Sequence, residues 1–277
     1  MRVLRVDMFG AAPGRGSTLD VLIPEGRCDD AVVAKAAEYA RAGASDETAL
    51  VSDYSRAGKT FASRIFNAEG ETPFGTHSLA GVAACLVGAG LLAPGEVGRT
   101  AEVGCQWLWT DGDEVRVPFD GPVVREEIPY DPALFGWGTG TPHAGGVGRA
   151  FNFVQVTEDP LSLPVPDLER MRELGLTDLT AFRWDPDARE VLARVFAPGF
   201  GIPEDAGCLP AAAALGLTGL GLAGDDDAPV TVRQVTGQGS ESVFACAGSI
   251  NGDTASVRIT GQVWLPPLED DQKVSEA

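Results

Sequence analysis

The sequence predicts an α+β protein made of two similar halves. Three observations carry that prediction. The chain has 277 residues, 44% of them apolar, enough for one large core or for two units of about 130 residues. Residue types and spacing give the order helix, hairpin, long loop and small-residue helix, and that order occurs twice. Sliding the chain on itself by 130 positions superimposes the two occurrences without a gap from about residue 48 to 93. Arg64 then meets Arg194, Phe66 meets Phe196, Pro73 meets Pro203, and Ala83-Ala84 meets Ala213-Ala214. The alternative is two unrelated α+β domains that share common elements. The shared order of elements favours a duplication.

The elements follow from local signals. Residues 2–9 and 19–23 read as two short strands around a Gly/Pro turn. Residues 29–42 have helical composition and period, with Asp29 as N-cap and Gly43 as the stop. Residues 48–54 and 59–66 form a hairpin closed by the turn around Ser55–Gly58. A polar loop then leads through Pro73-Phe74-Gly75-Thr76-His77-Ser78 into a small-residue helix over 79–87. In the second half 166–174 reads as helix, 178–184 and 190–196 as strands joined at Asp185–Arg189, and 210–217 as an Ala-rich helix. A Gly/Pro loop ending in Pro203-Glu204-Asp205-Ala206-Gly207-Cys208 leads into it, and Pro210 suits its first turn. The expected boundaries are 1–130 for the first lobe, 131–148 for a Gly-rich linker, 149–266 for the second lobe and 267–277 for an acidic, disordered tail.

Charge and cysteine usage exclude several classes. Lys plus Arg number 21 and Asp plus Glu 40, a net charge of −19. With no basic cluster, that repels nucleic-acid phosphates and anionic membranes. The first ten residues lack the apolar core of a signal peptide, and no run of about 18 apolar residues occurs. Five widely spaced cysteines without a CxxC fit reduced thiols, so the expectation is a cytoplasmic protein. With two histidines, no metal site is expected, and Asp225–Asp227 reads as a solvated loop. No phosphate-cradling glycine motif occurs.

Both halves end a loop at a helix N-terminus, near His77-Ser78 and near Cys208-Leu209-Pro210. Two such termini facing one cleft would offer free N–H donors and positive dipole ends to an acidic ligand. The expected ligand is therefore a small carboxylate. The bland reading is capping by Ser78 and a core thiol.

At these residues the sequence resembles the PhzF family, phenazine-biosynthesis isomerases and their relatives, of the diaminopimelate-epimerase-like fold. Val6-Asp7-Met8-Phe9 with Gly16-Ser17-Thr18-Leu19-Asp20-Val21 is similar to the family's opening. Asp46-Glu47-Thr48-Ala49-Leu50-Val51 is similar to its Ser-Glu-Thr-Thr-Phe-Val motif. Arg64-Ile65-Phe66 with Pro73 to Ser78, and the run from Arg194 to Asp205, are similar to two more. The resemblance covers the chain up to about residue 265. It implies two pseudo-symmetric domains, each a curved, mostly antiparallel sheet wrapped around a central helix. It further implies cofactor-free chemistry, a site between the domains and a homodimer. By motif match Glu47 takes the place of the acid/base glutamate, with His77 and Asp205 as the other catalytic residues. Ser17, Thr76, Ser78, Gly207 and Cys208 then stand at substrate-binding positions.

The departures from the family lie around the ligand. Thr76 replaces a glycine and Ser17 an asparagine. Leu209-Pro210 replaces the Gly-Ser pair that helps bind the substrate carboxylate. Gln238-Gly239 is kept, but the Met-Gly-Arg-Pro-like stretch after it is absent. The acid/base machinery is retained and the pocket rebuilt, so a different substrate is expected.

A glutamate in a closed cleft gains the raised pKa that suits a group taking and returning a proton. Its counterpart in the second half is Thr177, and this asymmetry suits a net proton shift. The dipole at a helix N-terminus favours a neutral His77, while His143 in the Gly-rich stretch reads as a surface residue. Asp205 reads either as a simple cap or as a partner of His77. A thiol at a helix N-terminus can act as base or nucleophile. Cysteine-pair racemases of this fold use two, but Ser78 stands opposite Cys208 in the repeat. The leading expectation is an isomerase that moves a proton and a double bond in a small unsaturated carboxylic acid. The Ala/Gly/Arg-rich, Lys-poor composition points to a high-GC source and a cyclic amino-acid-derived antibiotic precursor as that acid. A Cys208-assisted racemase or epimerase and a catalytically silent ligand-binding protein remain as alternatives.

Overall fold

The computed structural model describes residues 1–43, 45–72, 75–101, 104–126, 130–138, 141–224 and 228–265, and of His77 and Thr141 the backbone alone. In chain order the elements are β1 (Arg2–Met8), β2 (Ser17–Ile23), α1 (Asp30–Arg41), β3 (Glu47–Ser55), β4 (Thr60–Asn67), β5 (Gly70–Thr72) and α2 (Thr76–Gly88). Then come β6 (Gly95–Ala101), β7 (Gly104–Thr110), β8 (Glu114–Glu126), β9 (Thr141–Val147), β10 (Phe151–Gln155), α3 (Leu168–Glu173), β11 (Leu179–Asp185) and β12 (Glu190–Ala197). The chain closes with β13 (Ile202–Asp205), α4 (Leu209–Ala223), β14 (Val230–Val235), β15 (Glu241–Asn251) and β16 (Thr254–Trp264).

Two compact units result, Met1–Val117 with Gly261–Ala277, and Pro118–Thr260. Their boundaries fall inside β8 and β16, away from the stretch 131–148 expected as linker. That stretch holds β9, whose Ala144–Val147 pair with β8 and whose Thr141–Gly145 pair with β10. Its glycines disguise a strand because they bring no side-chain alternation. Asp225–Asp227 and the 267–277 tail lie outside the described residues.

The first unit has the strand order β7-β6-β4-β3-β2-β1, with the start of β8 on β7 and the end of β16 on β1. Its β3–β4 hairpin is flanked by parallel neighbours, β2 beside β3 and β6 beside β4. The second unit repeats the arrangement. Hairpin β11–β12 has parallel neighbours β10 and β14, and the short β13 adds to β12 as β5 adds to β4. Lys59 and Arg189, 130 positions apart, are both non-glycine residues with positive φ, at 48° and 49°. Each closes its hairpin turn in the left-handed conformation. Ser55 Oγ accepts from Gly58 N–H in one turn, and Asp185 Oδ1 from Asp187 and Ala188 N–H in the other. The duplication read from the spacing is thus a repeat of topology.

Each unit buries one apolar helix. α2 packs against β1, β2, β3, β4, β6 and β7, and α4 against β9, β12, β14 and β15. From Leu79 to Val87 every residue of α2 is buried, and so is every residue of α4 from Ala211 to Leu217. Small residues allow the strands this close. A Cβ on Gly81 would lie 2.4 Å from Met8 Sδ, and one on Gly216 would lie 2.5 Å from Cys246 Cβ. α1 is amphipathic instead, as its period predicts. Asp29 caps it by accepting from Ala31 and Val32 N–H, and its buried side covers Leu22, Leu50 and Phe66. α4 runs six residues beyond the expected end at 217, to Ala223, where Gly224 closes it with φ 75°. The second unit adds an aromatic cluster of Tyr130, Phe135, Trp137 and Phe196 around Met171 and Leu179. His143, expected on the surface, has a buried Nε2 and lines a groove of ≈ 630 Å³ with Phe153, Leu217 and Thr218. No helix among the described residues is long and apolar enough to cross a membrane.

The two repeat-related arginines differ in energetic role. Arg194 and Glu204 side chains are 6% and 8% exposed, 2.6 Å apart. Arg194 also donates to Leu163 C=O, and Glu204 accepts from Gly237 N–H. Arg64 and Glu71 pair at 2.5 Å but are 40% and 43% exposed. Removing one partner of a buried pair strands a charge, at about 3–5 kcal/mol, whereas an exposed pair is worth about 0–1 kcal/mol. Arg194→Met is therefore expected to lower unfolding free energy in urea by about 3–5 kcal/mol, and Arg64→Met by less than about 1 kcal/mol. Equal losses would refute the distinction.

Candidate functional site

Glu47 opens β3, in register with Leu19 of the parallel strand β2. Its side chain is 5% exposed, unlike the exposed carboxylate usual after a helix. The Ser78 hydroxyl donates to Glu47 Oε2. The approach to Glu47 is fixed by a tight polar cluster. Thr18 N–H and hydroxyl donate to Asp46 Oδ2 at 2.7 and 3.0 Å, and Asp46 N–H donates back to Thr18 Oγ1 at 3.0 Å. Ser17 Oγ donates to the same carboxylate at 3.4 Å, and Ser45 Oγ to the Glu47 carbonyl at 2.8 Å. Ser17 thus braces the residue before Glu47.

Ser78 lies inside the first turn of α2 and leaves the capping position to Gly75, which has no side chain to offer. Gly75 C=O accepts from Leu79 N–H at 2.9 Å. The amides of Thr76, His77 and Ser78 are the donors that a first helical turn leaves without helical acceptors. Glu47, Thr76 and Ser78 are thus gathered at one helix N-terminus, with His77 between the last two in sequence. The His77 side chain, like Pro73 and Phe74 of the same motif, lies outside what is described.

The second unit gathers Asp205, Gly207 and Cys208. Asp205 ends β13, is 5% exposed, and accepts from Gly207 N–H at 2.9 Å. It does not cap α4; Cys208 is the capping residue, with Leu209 and Pro210 as the first turn. Gln234, fully buried on β14, clamps Cys208 from both sides. Its Oε1 accepts from Cys208 N–H at 2.7 Å and its Nε2 donates to Cys208 C=O at 3.0 Å. Asp178, also buried, accepts from Asn152 N–H at 2.8 Å and the Thr177 hydroxyl at 2.9 Å. Burial raises its pKa despite those bonds.

Burial, then the Asp205 and Asp178 carboxylates, push the Cys208 thiol well above its ordinary range. The helix N-terminus therefore does not make it a thiolate; the neighbouring acids and desolvation outweigh the dipole. Sequence reasoning missed Gln234 and Asp178. The signal for Gln234 was its inward place in the alternation Val230, Val232, Gln234. Asp178 gave no comparable signal.

No protein-family model and no curated protein matches the sequence. Solved structures match over nearly the whole chain. A PhzF-family phenazine biosynthesis protein from Enterococcus faecalis is 19% identical with TM-score 0.74, over 95% of this chain and 97% of that one. A PhzC/PhzF protein from Clostridium difficile strain 630 is 15% identical with TM-score 0.76, over 96% and 98%. A hydroxyproline epimerase from Agrobacterium vitis, with trans-4-hydroxy-L-proline bound, is 14% identical with TM-score 0.59, over 96% and 90%. The fold is that of these PhzF-family proteins, and solved structures of a hydroxyproline epimerase and a probable proline racemase match it as well.

Thiol reactivity tests the electrostatics. A thiol raised above its ordinary pKa holds less thiolate at neutral pH, and its reactivity emerges only as pH rises toward the shifted value. In iodoacetamide labelling at pH 7 read by peptide mass spectrometry, exposed Cys105 should react first. Cys208 should lag, along with buried Cys85, whose thiol is pushed up to about 12. Labelling of Cys208 as fast as Cys105 would show an activated thiolate.

Proposed function

We propose that this chain is an isomerase that moves a proton, and with it a double bond, in a small unsaturated carboxylic acid. The observation that supports this most is the buried Glu47 carboxylate, hydrogen-bonded by Ser78 at the N-terminus of α2, in a fold shared with PhzF-family proteins. Glu47 removes an acidic proton next to a carbonyl, imine or diene of the substrate. The Ser78 hydroxyl holds the carboxylate in place and strengthens or yields its bond as Glu47 gains and loses the proton. Amides of the first turn of α2 offer positive ends to the substrate carboxylate or to charge developing beside it. His77 and Asp205, by the resemblance, relay or stabilise charge while the proton returns to another carbon. No cofactor enters this scheme.

Cys208 serves as a partly buried, unactivated thiol beside Asp205, because a raised pKa suits neither a base nor a nucleophile at neutral pH. The matching position of the first unit is Ser78, so a thiol pair is absent from the two helix N-termini. Leu209 and Pro210 fill the place of the family's Gly-Ser pair, and Pro210 contributes no N–H. The substrate therefore differs from that of the phenazine enzymes; a cyclic unsaturated amino-acid derivative is the class we favour.

The test is proton–deuterium exchange. A panel of small cyclic and acyclic unsaturated carboxylic acids is incubated with the chain in D2O and followed by mass spectrometry. One or more members should gain deuterium with the unmodified chain. Glu47→Gln should slow that exchange by about 10²–10⁴-fold, and Ser78→Ala by roughly tenfold to a hundredfold. Exchange at full rate in Glu47→Gln would overturn the assignment.

A further inference from the structure

The first unit carries a second cluster of donors far from Glu47. The strand register places Tyr54, Phe61, Arg99 and Gln106 in one row across β3, β4, β6 and β7. Residues directly opposite one another share a sheet face, and Ser63, two residues beyond Phe61, shares it too. Arg99 is half-buried, with its Nε enclosed; among the described residues that Nε has no hydrogen-bond partner, and the side chain makes one bond, from Nη2 to the Ser63 carbonyl at 3.3 Å. Ser63 is 8% exposed, and among the described residues its hydroxyl likewise has no partner. Tyr54 and Gln106 are exposed at the ends of the row.

Of the acids on these strands, Asp53 and Glu96 point away, and Glu47, which shares the face of Val51 and Ser63, lies four residues off along β3. Asp53 is in register with Ala62, and Glu96 with Trp109, both on the opposite face from Arg99. The chain carries 40 acidic against 21 basic residues. Arg5, Arg64, Arg116, Arg194 and Arg233 all hold carboxylates, while Arg99 has none among the described residues. Burial alone moves its guanidinium, downward, with no carboxylate opposing the shift. A desolvated cation beside an unsatisfied hydroxyl is costly unless an anion joins it.

We propose that Arg99 and Ser63, flanked by Tyr54 and Gln106, form a binding site for a small oxyanion, a carboxylate or a phosphate. A planar guanidinium and a hydroxyl match the geometry of such oxygens. The site is separate from Glu47. Ser63 is opposite Val51, four residues along β3 from Glu47, or about 13 Å at about 3.3 Å per residue. It stands independently of the reaction proposed above, and its ligand binds without being turned over.

The experiment titrates sodium phosphate and, separately, sodium acetate into the full chain labelled with ¹⁵N-arginine, at constant ionic strength set by sodium chloride. The Arg99 Nε–H signal is assigned by its loss in Arg99→Lys. It should shift saturably with at least one anion. A response to acetate alone identifies a carboxylate site, and one to phosphate alone a phosphate site. Calorimetric affinity for the responding anion should fall about tenfold or more in Arg99→Leu and less in Ser63→Ala. Arg116→Leu, which removes an arginine stacked over Trp109, should bind like the unmodified chain. Linear, unsaturable shifts with both anions would overturn the proposal, as would equal losses in Arg99→Leu and Arg116→Leu. Should Arg99→Leu fail to fold, saturation of the Arg99 signal in the unmodified chain decides.

Discussion

Burial of a largely apolar helix within each unit is the constraint on which the rest of the structure depends. Beyond the Thr76-His77-Ser78 start of α2, the two helices are apolar apart from the Cys85 thiol and Thr218, so each must be covered on all sides. Strands do the covering, and small residues such as Gly81, Gly216 and Gly219 set how near they come. A helix enclosed in this way satisfies its own backbone in the middle but not at its ends. The unpaired backbone groups that polar chemistry can use on these helices are thereby confined to their termini and to the strand ends beside them. Glu47 with Ser78 in one unit, and Asp205 with Cys208 in the other, occupy those places.

The duplication supplies equivalent positions, and the chemistry breaks the equivalence. Ser78 and Cys208 stand at matching points of α2 and α4. The hydroxyl donates to a carboxylate on β3, whereas the thiol sits under Gln234 and beside Asp205. Glu47 itself is matched by Thr177, whose hydroxyl donates to Asp178. The same divergence appears in Arg64 and Arg194, one at the surface and one buried. A symmetric pair of bases would need like groups at like positions, and these units do not provide them.

Much of this was legible in the residues. The hairpins, the spacing of 130 and the capping of α1 by Asp29 follow from local chemistry, and the chain has the fold that the motifs imply. The stretches that stayed silent have physical reasons. β6 to β8 and β14 to β16 are strands whose pairing is settled by distant partners, and β9 is built around Pro142, Gly145 and Gly146, which read as linker. Ser78 suggested a cap because serine at a helix start usually is one. Its actual partner, Glu47, is 31 residues away and is brought near only by packing. Cys208 is the sharpest case: its place on the helix promises a thiolate, and burial together with the Asp205 and Asp178 carboxylates reverses that promise.

The central claim is that Glu47 takes a proton from one carbon and lets it return to another. Its most direct measurement is the position of deuterium, by carbon-13 and deuterium NMR, in a substrate converted to equilibrium in D2O. The account predicts deuterium at a carbon other than the one that lost hydrogen, with the double bond displaced. Deuterium confined to the stereocentre that lost its proton, with inversion there and the double bond unmoved, would contradict it and identify an epimerase instead.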